Sequence, residues 1–220
     1  MITSAQRDAD SIRYIVLRKL ASGLRHTMMG ELQSIQFLAE LGARKMDDGS
    51  ADVARTREFI GKIAVAAGEA IGTCQSVIEW LRPEHGAVTT LGEVVNQCVK
   101  LAGDDWRMRA TQASIELPAP ASEARVSKSA ARELIVTTVL ALTDEQPGSL
   151  DIEIGGALTG ERVDLRLRAL ASKRSPPLPS SVVYHTLDWE DVANLAAAHD
   201  VICTREDGTS TLRFAVVPSR

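Results

Sequence analysis

The chain has 220 residues and a mass of 23.7 kDa, room for one large domain or two small ones at roughly 100–200 residues each. Apolar residues make up 45% and charged residues 25%, with a mean hydropathy of -0.03, which speaks against disordered, collagen-like and membrane-spanning classes. A net charge of -4 and a pI near 5.6 offer none of the basic excess that phosphate backbones require, so no nucleic-acid partner is expected.

From Ser11 to about Lys45 the sequence contains no proline, and Leu17, Leu20, Leu24, Met28, Leu32, Ile35 and Leu38 recur at three- and four-residue steps. This spacing predicts one long amphipathic helix. Met46-Asp47-Asp48-Gly49-Ser50 supplies a turn, and Ser50 or Asp52 can cap a second helix. That helix carries Val53, Ile60, Ile63, Ala67, Ile71, Cys74, Ile78 and Leu81, then stops at Arg82-Pro83,. Two antiparallel rods bury only one seam, so a hairpin of this kind needs a second copy to cover its remaining apolar surface. The expectation is a four-helix bundle formed by homodimerisation.

Beyond Pro83 the pattern changes. Glu84-His85-Gly86-Ala87 reads as a linker, which gives expected domains of 1–83 and 87–220. Charge supports the division: the segment 1–82 carries 11 basic and 10 acidic residues, and 83–220 carries 14 and 19. Helices are predicted over 91–101, 127–142 and 188–198, and strands over 113–117, 150–154, 163–169, 201–204 and 211–217. Asp207-Gly208 provides the turn of a terminal hairpin. Ser175-Pro176-Pro177-Leu178-Pro179-Ser180-Ser181 is a Pro/Ser loop. The expected class is α+β, a helical hairpin followed by an α/β sandwich.

Cys74, Cys98 and Cys203 are odd in number and far apart, with no metal-ligand or redox spacing, and read as core residues in a reducing cytosol,. No apolar run approaches the ~20 residues of a membrane span, and the polar N-terminus lacks a secretory h-region. A cytoplasmic protein without a membrane partner is expected. Aromatic residues are only 4% of the chain, which suits an aliphatic helical core.

One histidine stands out. His26 sits mid-helix, and at about 100° per residue it points nearly opposite the stripe of Leu17, Leu20, Leu24 and Met28. Its neighbours on that outward face include Lys19, Ser22, Met29, Gly30, Gln33 and Phe37, with Arg25 adjacent in sequence. Gly23 and Gly30 each cost about 1 kcal/mol against alanine in a helix interior, yet they leave room beside the ring. Met29 and Phe37 are apolar groups suited to a transient partner. An exposed imidazole, with an ordinary pKa of about 6.5, offers a nucleophilic nitrogen at neutral pH. His85, His185 and His199 lie in a linker, after a loop and at a helix end, where structural roles are expected.

With these features in place, the sequence resembles the two-domain core of bacterial sensor histidine kinases, a dimerisation and phosphotransfer hairpin followed by an ATPase-type sandwich. The segment from Ala131 to Leu142 lies where those kinases have their N-box helix, and Trp189–Asp200, Gly208-Thr209 and Leu212–Pro218 resemble their closing helix and hairpin. The nucleotide-binding residues are altered. Thr137 and Ala141 stand where asparagines would hold Mg²⁺. The chain reads Ala169-Leu170-Ala171-Ser172-Lys173 where D-x-G-x-G is expected, and no glycine falls between Glu161 and Asp207. Thr27 replaces the acidic residue after the histidine.

A hairpin with its histidine and without an ATP site is similar to the two-domain histidine phosphotransferases of the ChpT type, whose motif has Gly four and Ile nine residues after the histidine. Gly30 and Ile35 occupy those places. The resemblance implies a homodimeric phosphorelay protein that binds no cofactor itself. His26 would be phosphorylated, and Mg²⁺ would come from a partner receiver domain. The partners would be response-regulator receivers or a hybrid histidine kinase, docking on Lys19, Ser22, Arg25, Met29, Gly30, Gln33 and Phe37. The alternative is a non-catalytic scaffold or inhibitor that binds a kinase or receiver and is never phosphorylated.

Overall fold

The computed structural model describes residues 4–47, 53–81, 86–108, 111–146, 148–173 and 186–218. The chain divides into two compact units, Ser22–Pro83 on one side and Met1–Ala21 with Glu84–Arg220 on the other.

The first of these is a helical hairpin. Helix α1 spans Ser4–Asp47, starting earlier than its apolar periodicity suggests and running into the other unit, with Arg44 and Lys45 in its last turn where cations favour the helix dipole,. Helix α2 spans Val53–Leu81. The expected turn after Asp47 and the stop at Arg82-Pro83 lie outside the described residues. The helices pack through half-buried Leu24, Met28, Ile35 and Leu38 on α1 and Phe59, Ile63, Ala70 and Val77 on α2, with Ala66 buried between them. Two contacts set the antiparallel register. Thr73 Oγ1 donates to Glu31 Oε1 at 2.9 Å, and a Cβ on Gly42 would meet Phe59 Cβ and Cγ at 3.8 and 3.9 Å.

The other unit is an α/β sandwich. Strand β1 (Val88–Thr90) leads into helix α3 (Leu91–Met108), followed by β2 (Gln112–Glu116), the short helix α4 (Ala119–Ser122) and β3 (Arg125–Ser127). Next come α5 (Lys128–Glu145), β4 (Leu150–Thr159), β5 (Arg162–Ala171), α6 (Trp189–Ala198), β6 (Ile202–Glu206) and β7 (Thr209–Ala215). Five strands form one sheet in the order β2-β4-β5-β7-β6, parallel only between β2 and β4, while β1 and β3 make a separate antiparallel pair. Alternate residues of β4, β5 and β7 (Ile152 and Ile154, Val163 to Leu167, Leu212 and Phe214) are buried, the period-two pattern of a sheet with one covered face,.

Several elements extend past their sequence signals for local reasons. The strand predicted to end at Ile154 continues in β4 through Gly155-Gly156 to Thr159. A Cβ on Gly156 would lie 2.6 Å from Leu117 Cδ2 and 3.1 Å from the Asp164 carbonyl, so close packing selects glycine there,. Strands β1 and β3 are three residues each, too short for a periodic signal. Helix α3 runs seven residues beyond its predicted end at Leu101. The Asp207-Gly208 turn has φ of 47° and 75° at its two residues, the type I′ geometry expected of that dipeptide,. Asp188 caps α6 by accepting from the Glu190 and Asp191 amides, and Asp191 accepts in return from the Asp188 amide,. The molecule is α+β.

Helix α5 is buried from Ala130 through Thr143 on every side. It contacts α3, α6 and the sheet, and the amino-terminal part of α1, in the same unit, supplies further cover. Ala9, Ile12, Val16 and Leu20 are buried, Arg13 Nε lies 2.7 Å from Glu133, and Lys19 Nζ lies 2.7 Å from Asp144.

Candidate functional site

His26 is exposed on α1. Leu24, Met28 and Ile35, the apolar residues around it, turn toward the hairpin seam, so helical periodicity alone aims the ring outward. A Cβ built on Gly30, one turn further on, would meet nothing within 4 Å, so the space beside the imidazole is open. Gly23 is buried instead and does not share that opening. Of the residues predicted to share the face, Arg25 and Gln33 are exposed, as are Met29 (50%) and Phe37 (65%). The Ser22 side chain lies outside the described residues.

Lys19 is placed differently. Its side chain is only 10% exposed and pairs with Asp144, itself 6% exposed. The outward-face reading extended the His26 stripe back by two turns, but there α1 already lies in the sandwich unit. A nearly buried ion pair fixes the lysine to that unit, away from solvent.

Two features escaped the sequence reading. A groove of about 430 Å³ runs along the hairpin between Ser34 and Leu38 of α1 and Gly61, Lys62, Val65 and Ala66 of α2. Val65, 65% exposed, lines it, and Phe37, equally exposed, neighbours Leu38 in the sequence. The other feature is a division of the α2 apolar residues. Ile63, Cys74 and Val77 pack, whereas Val53, Ile60, Ile71 and Ile78 are 58–75% exposed. These four follow one another at steps of seven, eleven and seven residues, a straight stripe along one side of a helix. On α1, Leu32 (52%) and Met46 (51%) are exposed fourteen residues apart. The heptad spacing was visible in the sequence, but the whole set reads there as one broad face.

The remaining histidines separate. His85 and His185 lie outside the described residues. His199 caps the end of α6, and its Nε2 is 2.8 Å from Glu133 Oε2. That distance requires the proton on Nε2, donated to the carboxylate, so the Arg13 Nη2 contact at 3.4 Å is an approach of two donors,. Burial pushes the Glu133 carboxyl upward, but hydrogen bonds from His199 and Arg13 outweigh it and hold the group below the ordinary carboxylate range,. Burial pushes the Cys98 thiol up to about 12, which keeps it protonated.

Neither residue at the positions where the resemblance places magnesium ligands presents a free side-chain oxygen. Thr137 is fully buried and its hydroxyl donates to the Glu133 carbonyl at 2.7 Å, while Ala141 has no side-chain oxygen,. Strand β5 runs through Ala171 with no acidic or glycine residue from Arg166 onward, and the segment 174–185 lies outside the described residues. Among the described residues no group of three or more His, Cys, Asp or Glu could hold a metal ion, and no helix is long and apolar enough to cross a membrane.

No family model matches the sequence, and no curated protein matches it. The structural neighbours are histidine kinases and a bacterial phosphotransferase. The histidine kinase AdeS of Acinetobacter baumannii is 9% identical, with a TM-score of 0.42 over 84% of this chain and 96% of that one. A histidine kinase from Burkholderia phymatum is 10% identical, with a TM-score of 0.42 over 93% and 98%. A structure described as a bacterial phosphotransferase is 16% identical, with a TM-score of 0.37 over 90% and 95%.

Proposed function

We propose that this protein is a histidine phosphotransferase of two-component signalling, passing a phosphoryl group between receiver aspartates through His26. The observation that carries the reading is an exposed imidazole in the middle of a long helix, with open space at Gly30 and solvent-exposed Met29 and Phe37 on the same face. A helix holds such a ring rigidly while leaving it free on its outer side, which an in-line attack by a nitrogen lone pair requires.

The unprotonated ring nitrogen of His26 attacks the phosphorus of a receiver aspartyl phosphate. The N–P bond forms as the P–O bond to the aspartate breaks, and the carboxylate leaves with the electron pair. The reverse step delivers the phosphoryl to a second receiver. Mg²⁺ belongs to the receiver, where it neutralises charge on the transferring oxygens. This chain contributes positioning and the Arg25 cation. The groove lined by Leu38 and Val65 supports docking of a receiver along the same hairpin.

The protein acts as a homodimer in this reading. The exposed stripes of Val53, Ile60, Ile71 and Ile78 on α2 and Leu32 and Met46 on α1 are the supporting observation. Their steps of seven, eleven and fourteen residues keep them on one side of each helix, the side that a four-helix bundle would bury.

The test incubates receiver domains carrying labelled aspartyl phosphate with wild type and His26→Ala. Acid-labile label on the wild type and none on the variant is the expected result. Label on neither protein, with the receivers still bound, would overturn transfer in favour of a scaffold.

A further inference from the structure

We propose that the amino-terminal part of α1, residues 9–20, is an internal plug on the sandwich, closing the face of α5 on which Thr137 lies.

Helix α5 is the starting point. Glu133, Thr137, Leu140 and Asp144 follow one another at steps of four, three and four residues, so they line one side of the helix. The opposite side carries Ile135, Thr138 and Leu142. Both sides are closed to solvent: Thr137 and Thr138 are 0% exposed and Leu140 is 1%. A helix packed against a sheet and flanked by two other helices normally leaves its outer side wet. Here the outer side is covered, and its two carboxylates show by what. Glu133 receives Arg13 Nε at 2.7 Å, and Asp144 receives Lys19 Nζ at 2.7 Å.

The cover from α1 is apolar as well as ionic. Ala9, Ile12, Val16 and Leu20 recur at three- and four-residue steps and are all at most 4% exposed. His199, at the end of α6, completes the clasp through its own bond to Glu133. A third element therefore binds what a two-layer sandwich would expose. The consequence concerns Thr137, one of the positions where the kinases that the sequence resembles carry an asparagine: its helix face is occupied by the chain itself. In this proposal the plug leaves the sandwich without unfolding the core beneath it.

The experiment places a thiol on the covered face through Thr137→Cys, a near-isosteric change. Alkylation of the Thr137→Cys thiol and of native Cys98, which is 2% exposed in the sandwich core, is followed by peptide mass spectrometry in the full chain. The same measurement is made after adding Arg13→Ala and Val16→Asp, which remove the arginine from Glu133 and bury a charge one turn along the covered side of α1. The expected result is slow alkylation at both thiols in Thr137→Cys alone. The added substitutions then raise the rate at position 137 at least tenfold and leave Cys98 slow. Fast alkylation at position 137 without those substitutions would overturn the proposal, as would a rate they do not change. A parallel rise at Cys98 would also overturn it, since α1 would then be an inseparable part of the core.

Discussion

Replacing Ile71 with aspartate tests the proposed dimer seam. Ile71 is 58% exposed and lies on the α2 stripe with Ile60 and Ile78. Full burial of such a side chain contributes about 1.5–3 kcal/mol, so covering a little over half of it contributes about 1–2 kcal/mol per copy. A twofold interface loses this twice, about 2–3.5 kcal/mol, before any cost of desolvating the new carboxylate. At 1.4 kcal/mol per factor of ten, dimer dissociation strengthens by about 30–300-fold. Sedimentation equilibrium at micromolar concentration measures it. Val65→Asp is the control, because Val65 is equally exposed at 65% but lies on the other side of α2, along the groove. Ile71→Asp should convert the protein to monomer while Val65→Asp leaves the dimer intact. A monomeric wild type, or equal weakening by both substitutions, would refute the seam.

Two further predictions concern the sandwich. The folded Glu133 carboxyl titrates below its unfolded value of about 4.5, so its charged form stabilises the native state above that pH and the contribution disappears as pH falls through the lower folded value. Denaturant unfolding should therefore show stability falling below about pH 4.5 in wild type, with a shallower acid slope in Glu133→Gln. An unchanged slope would show that the carboxylate does not drive acid unfolding. Gly156→Ala should destabilise the sandwich by about 1–3 kcal/mol through overpacking against Leu117 and the Asp164 carbonyl,. Gly30→Ala should unfold at an equal or higher denaturant concentration than wild type, since its added methyl meets nothing,; a loss at Gly30 as large as at Gly156 would contradict the packing argument.

Much of this molecule follows from its sequence. Apolar spacing determines both hairpin helices, the α+β class and the outward direction of His26, because a helical period fixes where each side chain points relative to its neighbours. Asp207-Gly208 likewise determines its turn, since both residues tolerate positive φ. Periodicity does not say which surface meets which. Only the tertiary structure divides the α2 apolar residues into a packed set around Ile63 and Val77 and an exposed stripe around Ile60 and Ile71, because both lie within one broad apolar arc. The predicted strand stops short of the glycines of β4, and only the approach of Leu117 to Gly156 shows why glycine stands there. Arg13 and Glu133 meet across 120 residues of chain, and Lys19 leaves the His26 face for Asp144. No local pattern encodes such pairings. They arise where two distant helices carry complementary charges to the same buried place.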